Sequence, residues 1–275
     1  MKKKKRTLKL KNLLFILVII TLIIILTISI FNIVKWKVDS NKTNEEINSI
    51  QKNINVEEVE DTDNTEIVEP VEEIPKENPY WDYINMNMIN VDFNKLKITN
   101  IDVIGWLKVN GTNINYPFVQ AKDNKYYLTH SFNKSYNEAE WVFLDYRNNN
   151  TNNKNTIIYA HGRNDKTMFG TLKKVLNNGW LNNVNNHVIK ISTEKENSLW
   201  QVFSVYHIPT TSDYLQTDFS SDTEYLDFLN MLLNRSAYSF NTSVNSNDNI
   251  LTLSTCYNNS DKMVVHAKLI KKDIR

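Results

Sequence analysis

The strongest hydrophobic pattern in the chain is an uncharged apolar run near its N-terminus. Residues 13–34 are apolar except for four uncharged polar side chains. A bilayer core about 30 Å thick needs about 20 apolar residues at a rise of 1.5 Å each, so this run predicts a transmembrane helix. A secretory signal peptide has a shorter apolar core and a small-residue cleavage site. No such site follows the run, which favours an uncleaved anchor.

The charges on either side of this run predict its orientation. Seven Lys and Arg residues precede it within residues 1–11, whereas only Lys35 and Lys37 follow it directly. Because basic residues are retained on the cytoplasmic side of a membrane, we expect a cytoplasmic tail at 1–11 and an anchor at 12–35. The remainder of the chain is then expected to be extracellular at the cell membrane.

Residues 36–78 form an acidic segment in which scattered Val and Ile follow no helical stripe. Such a composition buries too little apolar area to offset its ordering entropy, and like charges extend the chain. The segment is therefore predicted to be a disordered spacer, with a short helix through residues 44–54 as the alternative. The segment could be a tether that holds a domain away from the membrane or a loop without a role. Both would have nearly the same sequence.

Residues 79–275 are predicted to form one folded, mainly β (α+β) domain. Spacings of three and four from Tyr80 to Leu96 predict an amphipathic helix, after which the apolar period changes to that of strands joined by an Asn110-Gly111 hairpin turn. Eight strands in one domain of this size favour a closed barrel over a sandwich. Helices are expected at 168–176 and 222–235. The predicted strands are 103–109, 113–119, 141–144, 156–160, 187–192, 199–207, 250–254 and 263–270.

Composition excludes several functional classes. The formal net charge is +1, and no aromatic-basic motif accompanies it, so the sequence does not predict nucleic-acid binding. A single cysteine excludes an internal disulfide and any multi-cysteine metal site. No two of the five histidines have a close metal-ligand spacing, so neither a metal nor a cofactor is expected.

The only cysteine, Cys256, ends an apolar β-branched run and precedes a polar turn. A lone cysteine is often a small buried hydrophobe, but a nucleophilic thiol needs a nearby base to form the thiolate. His161 follows the predicted strand 156–160, so it lies at the end of a strand, as Cys256 does. His130 lies in a loop and is a second candidate. The other histidines fall within or at the start of strands, where packing is expected: His187, His207 and His266.

Thr252-Leu253-Ser254-Thr255-Cys256 matches the signature of the sortase family. Further segments resemble class B sortases in the same order, so that the resemblance covers about residues 80–270. It implies an eight-stranded sortase-type β-barrel with an N-terminal helix and a helix between strands six and seven. The segments that carry the resemblance are 100–107, 111–117, 119–128, 143–148 and 158–172.

The resemblance also implies a membrane-anchored cysteine transpeptidase. Cys256 would attack the Thr carbonyl of an NPxT-type sorting motif in a secreted protein, and an amine of a peptidoglycan precursor or a pilin lysine would resolve the thioester. His161 would act as general acid and base. For Leu128 and Tyr214 core packing is the alternative role. The implied substrate-groove residues are Asn124, Leu128, Thr210, Tyr214, Leu215 and Ser254.

Three positions depart from the family pattern. Lys262 stands where the family has an arginine that binds substrate and steadies the oxyanion, and a lysine keeps the charge without the planar fork. Arg147 or Arg163 from another loop is the alternative source of that charge. The segment Ala160-His161-Gly162-Arg163 stands where the family usually has Gly-His-Asn, and Glu140-Trp141 stands in place of a glycine. Two other functions therefore stay open: a degenerate sortase that binds sorting motifs with little turnover, and a thiol hydrolase that uses water as acceptor.

Overall fold

The computed structural model describes residues 4–71, 73–148, 153–256 and 260–275, and side chains in these ranges except those of 4–9 and 256. The polar turn predicted after Cys256 spans residues 257–261, and its first three residues, 257–259, lie outside the described residues. The chain divides into two compact units, residues 1–43 and 44–275, which are described separately.

The first unit consists of helix α1, which spans Lys4–Asn53 and continues into the second unit. From Leu10 onward the helix is long and apolar enough to cross a membrane, with a most apolar stretch of mean hydropathy 3.3 and no burial within the protein. Hydroxyl groups inside the apolar run donate to the carbonyl one turn earlier, as Ser29 Oγ does to Ile25 O at 2.8 Å. Such bonds satisfy the few polar groups without water.

The second unit is built mainly of strands. Its elements in chain order are β1 Val56–Val59, β2 Thr65–Ile67, α2 Tyr80–Tyr83, β3 Met88–Val91, α3 Asn94–Thr99, β4 Val103–Val109, β5 Asn115–Val119, β6 Phe143–Leu144, β7 Asn155–Tyr159, α4 Asn178–Leu181, β8 Val188–Thr193, β9 Glu196–Pro209, α5 Asp222–Arg235, β10 Ile250–Cys256 and β11 Asp261–Ile274. Single 3-10 turns lie at Tyr126–Leu128, Leu172–Leu176 and Val184–Asn186.

Eight of these strands close into a barrel, which confirms the predicted fold. The pairing order is β10-β7-β6-β5-β4-β8-β9-β11, and β11 pairs back onto β10. Most pairs are antiparallel, but β5–β6 and β7–β10 are parallel. Strand β2 lies beside β11 outside the ring. Helix α5 connects the sixth and seventh barrel strands, with the bounds that the sequence predicts.

The segment predicted to be a disordered spacer is largely structured in the second unit. Helix α1 extends to Asn53, as the alternative prediction has it, and Ile47 and Ile54 are buried in the barrel core. Strand β1 pairs with β3, and β2 pairs with β11. Glu58 lies near the amino groups of lysines on β4 and β8. The partners of this segment are remote in sequence, so its composition alone did not reveal them.

Two predicted helices also differ from the structure. The stretch from Tyr80 to Leu96 forms α2, β3 and the start of α3 instead of one helix, because the apolar residues of β3 are paired with β1. Tertiary pairing here outweighs the helical spacing. Of the predicted helix at 168–176, only Leu172–Leu176 is helical, and Met168 has a φ of 49° that no helix accommodates.

A buried chain of polar side chains connects four barrel strands beneath α5. Thr252 Oγ1 on β10 donates to Asn155 Oδ1 on β7 at 2.7 Å, so it accepts from Nδ1 of His266 on β11 at 2.9 Å. Nε2 of the neutral imidazole then accepts from Tyr206 on β9 at 2.8 Å. Every polar group in this side-chain network has a hydrogen-bond partner. Such a network makes the barrel more rigid and leaves no buried polar group unsatisfied. Burial lowers the pKa of His266 to about 3.

This histidine makes the stability of the fold depend on pH. Below pH 6.5 the unfolded chain binds a proton at His266 that the folded chain refuses until about pH 3, so the contribution of His266 is lost as the pH falls through this window. Between pH 6 and 4 the free energy of unfolding should fall with a slope steeper than that of His266→Gln by up to about 1.4 kcal/mol per pH unit. Denaturant unfolding of both proteins at several pH values measures the difference, and equal slopes would contradict it.

Candidate active site

A groove of about 620 Å³ opens at the end of the barrel where β7 and β10 finish. The eight predicted site residues with described side chains all line it: Asn124, Leu128, His161, Thr210, Tyr214, Leu215, Ser254 and Lys262. The structure thus brings together residues that the sequence distributes over a long stretch of chain. The other described residues that line it are Glu140, Phe143, Tyr159, Ala160, Thr211, Ser212 and Thr255.

Strand register explains why these residues meet. Strands β10 and β7 are parallel, with Ser254 opposite Tyr159, so the next positions along both strands lead towards Cys256 and His161. Strand β11 returns antiparallel to β10 and places Lys262 opposite Cys256. The backbone therefore carries the cysteine, the histidine and the lysine to one end of the barrel. The side chain of Cys256 lies outside the described part of the structure.

His161 begins a tightly turned loop that fixes its backbone. Its carbonyl accepts from the Phe169 amide at 3.0 Å, and Gly162 forms a β-bridge with Met168. Across this turn Gly170 packs so closely that a Cβ would lie 2.1 Å from the carbonyl oxygen of Arg163. The loop therefore requires glycine at position 170 and holds the histidine at the rim of the groove.

The His161 ring is accessible, with its side chain 42% exposed and Nδ1 lying 3.3 Å from Glu140 Oε1. His130 is not a groove residue, because its ring stacks on Tyr126 with a centroid distance of 4.0 Å. The three histidines that the sequence assigns to packing or surface positions do not line the groove either. Of the five, His161 alone combines exposure to the groove with the end of β7.

Asn124 is oriented by a buried carboxylate that the sequence reading did not single out. Asn124 Nδ2 donates to Asp145 Oδ2 at 2.9 Å, and the hydroxyl of Tyr159 donates to the same oxygen at 2.8 Å. Burial opposes ionisation of Asp145, but its hydrogen bonds, led by those from Arg147, outweigh burial and lower the pKa. The only signal in the sequence is a carboxylate directly after an apolar strand and two residues before an arginine.

One wall of the groove is formed by the segment between β9 and α5. The hydroxyls of Tyr214 and Ser254 are 2.9 Å apart, and Thr210 Oγ1 donates to the carbonyl of Ser260 at 2.9 Å. Tyr214 is only 1% exposed and packs among aromatic residues of α5, so it has both a packing role and a place in the groove. Leu128, at 39% exposure, is no core residue.

Neither arginine proposed as a substitute for the family arginine lines the groove. Arg147 forms two hydrogen bonds to Asp145, at 2.9 and 2.8 Å. Arg163 is buried, and its Nη2 lies 2.6 Å from Asp165 Oδ2. Among the described residues, Lys262 is the only lysine or arginine on the groove wall.

The close packing at Gly170 generates a prediction about the His161 loop. In Gly170→Ala the added methyl group meets backbone of Arg163 and Thr167, which cannot move without opening the turn. Overpacking of this kind typically costs about 1–3 kcal/mol. Thermal unfolding should show a lower melting temperature for this variant, whereas Gly179→Ala, where a Cβ meets nothing within 4 Å, serves as the matched control. Equal melting temperatures for the two variants would contradict the packing argument.

Comparison with known proteins agrees with this geometry. The family model described as the Sortase domain matches residues 107–270. Sortase B of Listeria monocytogenes is 37% identical over 182 residues, which cover 64% of this chain and 73% of the relative. Sortase B of Staphylococcus aureus is 36% identical over 188 residues, which cover 66% and 76% respectively.

Solved structures give the same result. The crystal structure of sortase B from Bacillus anthracis in complex with AAEK1 has a TM-score of 0.60 and 41% identity, covering 65% of this chain and 84% of its own. Sortase B of Clostridium perfringens has a TM-score of 0.62 and 35% identity, covering 65% and 100%. The family match extends over more than half of the chain and includes strands β7, β10 and part of β11. This chain therefore belongs to the sortase family of cysteine transpeptidases.

Proposed function

We propose that this sortase is a class B-like, membrane-anchored enzyme that joins secreted proteins carrying an NPxT-type sorting motif to an amine outside the cell. The observation that carries the proposal is the strand register, which brings the backbone of Cys256 beside that of Lys262 and leads β7 to His161. The groove along these residues accepts an extended peptide. Helix α1 supplies the anchor, and the basic residues before it favour a cytoplasmic N-terminus.

The chemistry proceeds in two halves. The Cys256 thiolate attacks the carbonyl carbon of the motif threonine, and Lys262 faces the developing oxyanion as a point charge. When the intermediate collapses, the peptide C–N bond breaks and His161 donates a proton to the departing amine. The resulting thioester is attacked by an amine of a peptidoglycan precursor or a pilin lysine. His161 accepts the proton of that amine, and the thiolate leaves.

The groove supports binding of a peptide with both polar and apolar side chains. Asn124 is held by Asp145 and Tyr146, with its amide at the groove wall. Leu128 and Leu215 provide apolar surface, and Tyr214 with Ser254 provides paired hydroxyls. We assign these residues, with Thr210, to the recognition of the sorting motif.

The nucleophile and the base are tested by substitution. Cys256→Ala should abolish cleavage of an NPxT-type peptide, because no other thiol exists in the chain. His161→Ala should reduce turnover by about 10²–10⁴-fold, the usual contribution of general acid–base catalysis. A fluorogenic peptide assay with the full chain in detergent micelles measures both, and His130→Ala is the matched control outside the groove. Unchanged turnover in Cys256→Ala would refute the proposal.

Lys262 distinguishes a working transpeptidase from a degenerate binder. If the ammonium group stabilises the oxyanion, Lys262→Ala should lower kcat by about 10²–10³-fold, the size reported for a lost oxyanion donor, and Lys262→Arg should retain or increase activity. An inactive wild type that gains activity in Lys262→Arg would instead identify a binding protein. Product analysis with and without an added amine separates transfer from hydrolysis, since a hydrolase releases the free acid in both cases.

A further inference from the structure

Glu140 occupies a backbone conformation that a side chain rarely adopts. Its φ is 61°, in the left-handed region where glycine is the usual residue. The flanking Ala139 and Trp141 are fully buried, and the Trp141 indole donates to Pro117 O at 2.9 Å. The backbone is thus held on both sides and cannot relax. An observed outlier of this kind at a groove points to a functional constraint on the side chain.

The side chain of Glu140 is placed against the imidazole of His161. The Oε1–Nδ1 distance is 3.3 Å, and the carboxylate is 19% exposed beside a histidine that is 42% exposed. Both residues line the groove. Nδ1 is the ring nitrogen on the Glu140 side, and a carboxylate at this distance favours a hydrogen on it. A loose contact in the free enzyme tightens when the imidazole becomes charged.

We propose that Glu140 is a positioning residue for His161. Its carboxylate holds the hydrogen on Nδ1 and leaves Nε2 as the nitrogen that exchanges protons in the groove. Nε2 gives its proton to the leaving amine and regains one from the incoming amine, and the Glu140 carboxylate supports the imidazolium that exists before the first transfer and after the second. This inference rests on the proposed function of His161. The class B sortases that this chain resembles have a glycine at this position, so the carboxylate distinguishes this chain from the family pattern.

The experiment uses Glu140→Gly and Glu140→Gln in the full chain in detergent micelles. Both variants should lower kcat for the sorting peptide by about 10- to 100-fold, less than the loss of the general acid–base group itself, with KM within about twofold of wild type. Glu140→Gly suits the left-handed backbone, so its melting temperature should not fall. Lower activity without lower stability separates positioning from a structural role.

A spectroscopic readout tests the same inference without turnover. In protein labelled with ¹⁵N-histidine, the Nδ1 signal of His161 should be that of a protonated nitrogen in wild type and should move towards the unprotonated position in Glu140→Gly. His161→Gln identifies the signals, and Glu138→Gln removes an exposed carboxylate two residues away as the matched control. If the wild type cleaves no sorting peptide, the proposed function fails while this signal still decides the positioning role. Unchanged kcat or unchanged His161 signals in both Glu140 variants would overturn the inference.

Discussion

The parallel pairing of β7 with β10 is the constraint on which the site depends. Antiparallel neighbours in a barrel end at opposite rims, whereas parallel neighbours end at the same rim. In this barrel β7 and β10 are parallel, so the residues that follow both strands reach the same edge. The antiparallel return of β11 then adds Lys262 opposite Cys256. A one-residue slip of β10 would reverse the face of each of its side chains, so the lining of the groove depends on this register.

The buried polar chain beneath α5 supports this register. Thr252, Asn155 and His266 join β10 to both of its neighbours at a point two residues before the groove-lining Ser254. Asn155 also donates to the carbonyl of Gln216 at 2.8 Å, and this bond ties the groove wall between β9 and α5 to β7. A hydrogen bond in a low-dielectric interior costs more to break than one in water. The network therefore transmits the geometry of the barrel to the wall that would contact a peptide.

Sequence reasoning succeeded where the stabilising interactions are local and failed where the partners are remote in sequence. Strand β4 and helix α5 have the predicted bounds, because their apolar periods are local signals. Residues 36–78 were predicted to be a disordered spacer from their composition, which does not reveal that their stabilising partners lie on distant strands. Cys256 and His161 were singled out by their positions at the ends of predicted strands, whereas the remaining site residues were found through the family resemblance. Asp145 and the φ of Glu140 depend on the folded backbone, so the sequence could not supply their roles.

In the proposed mechanism, the two departures from the family at the groove act on different reacting groups. Lys262 concerns the oxygen that becomes negative, and a point charge there can follow that oxygen but cannot fix its direction as a planar fork would. Glu140 concerns the imidazole that carries the proton. Arg147 and Arg163 cannot take over the role of Lys262, since each is bound to an aspartate. Because the orientation of the reacting groups sets how much each charge contributes, the proposed mechanism relies on Glu140 to orient His161, while Lys262 supplies charge without direction.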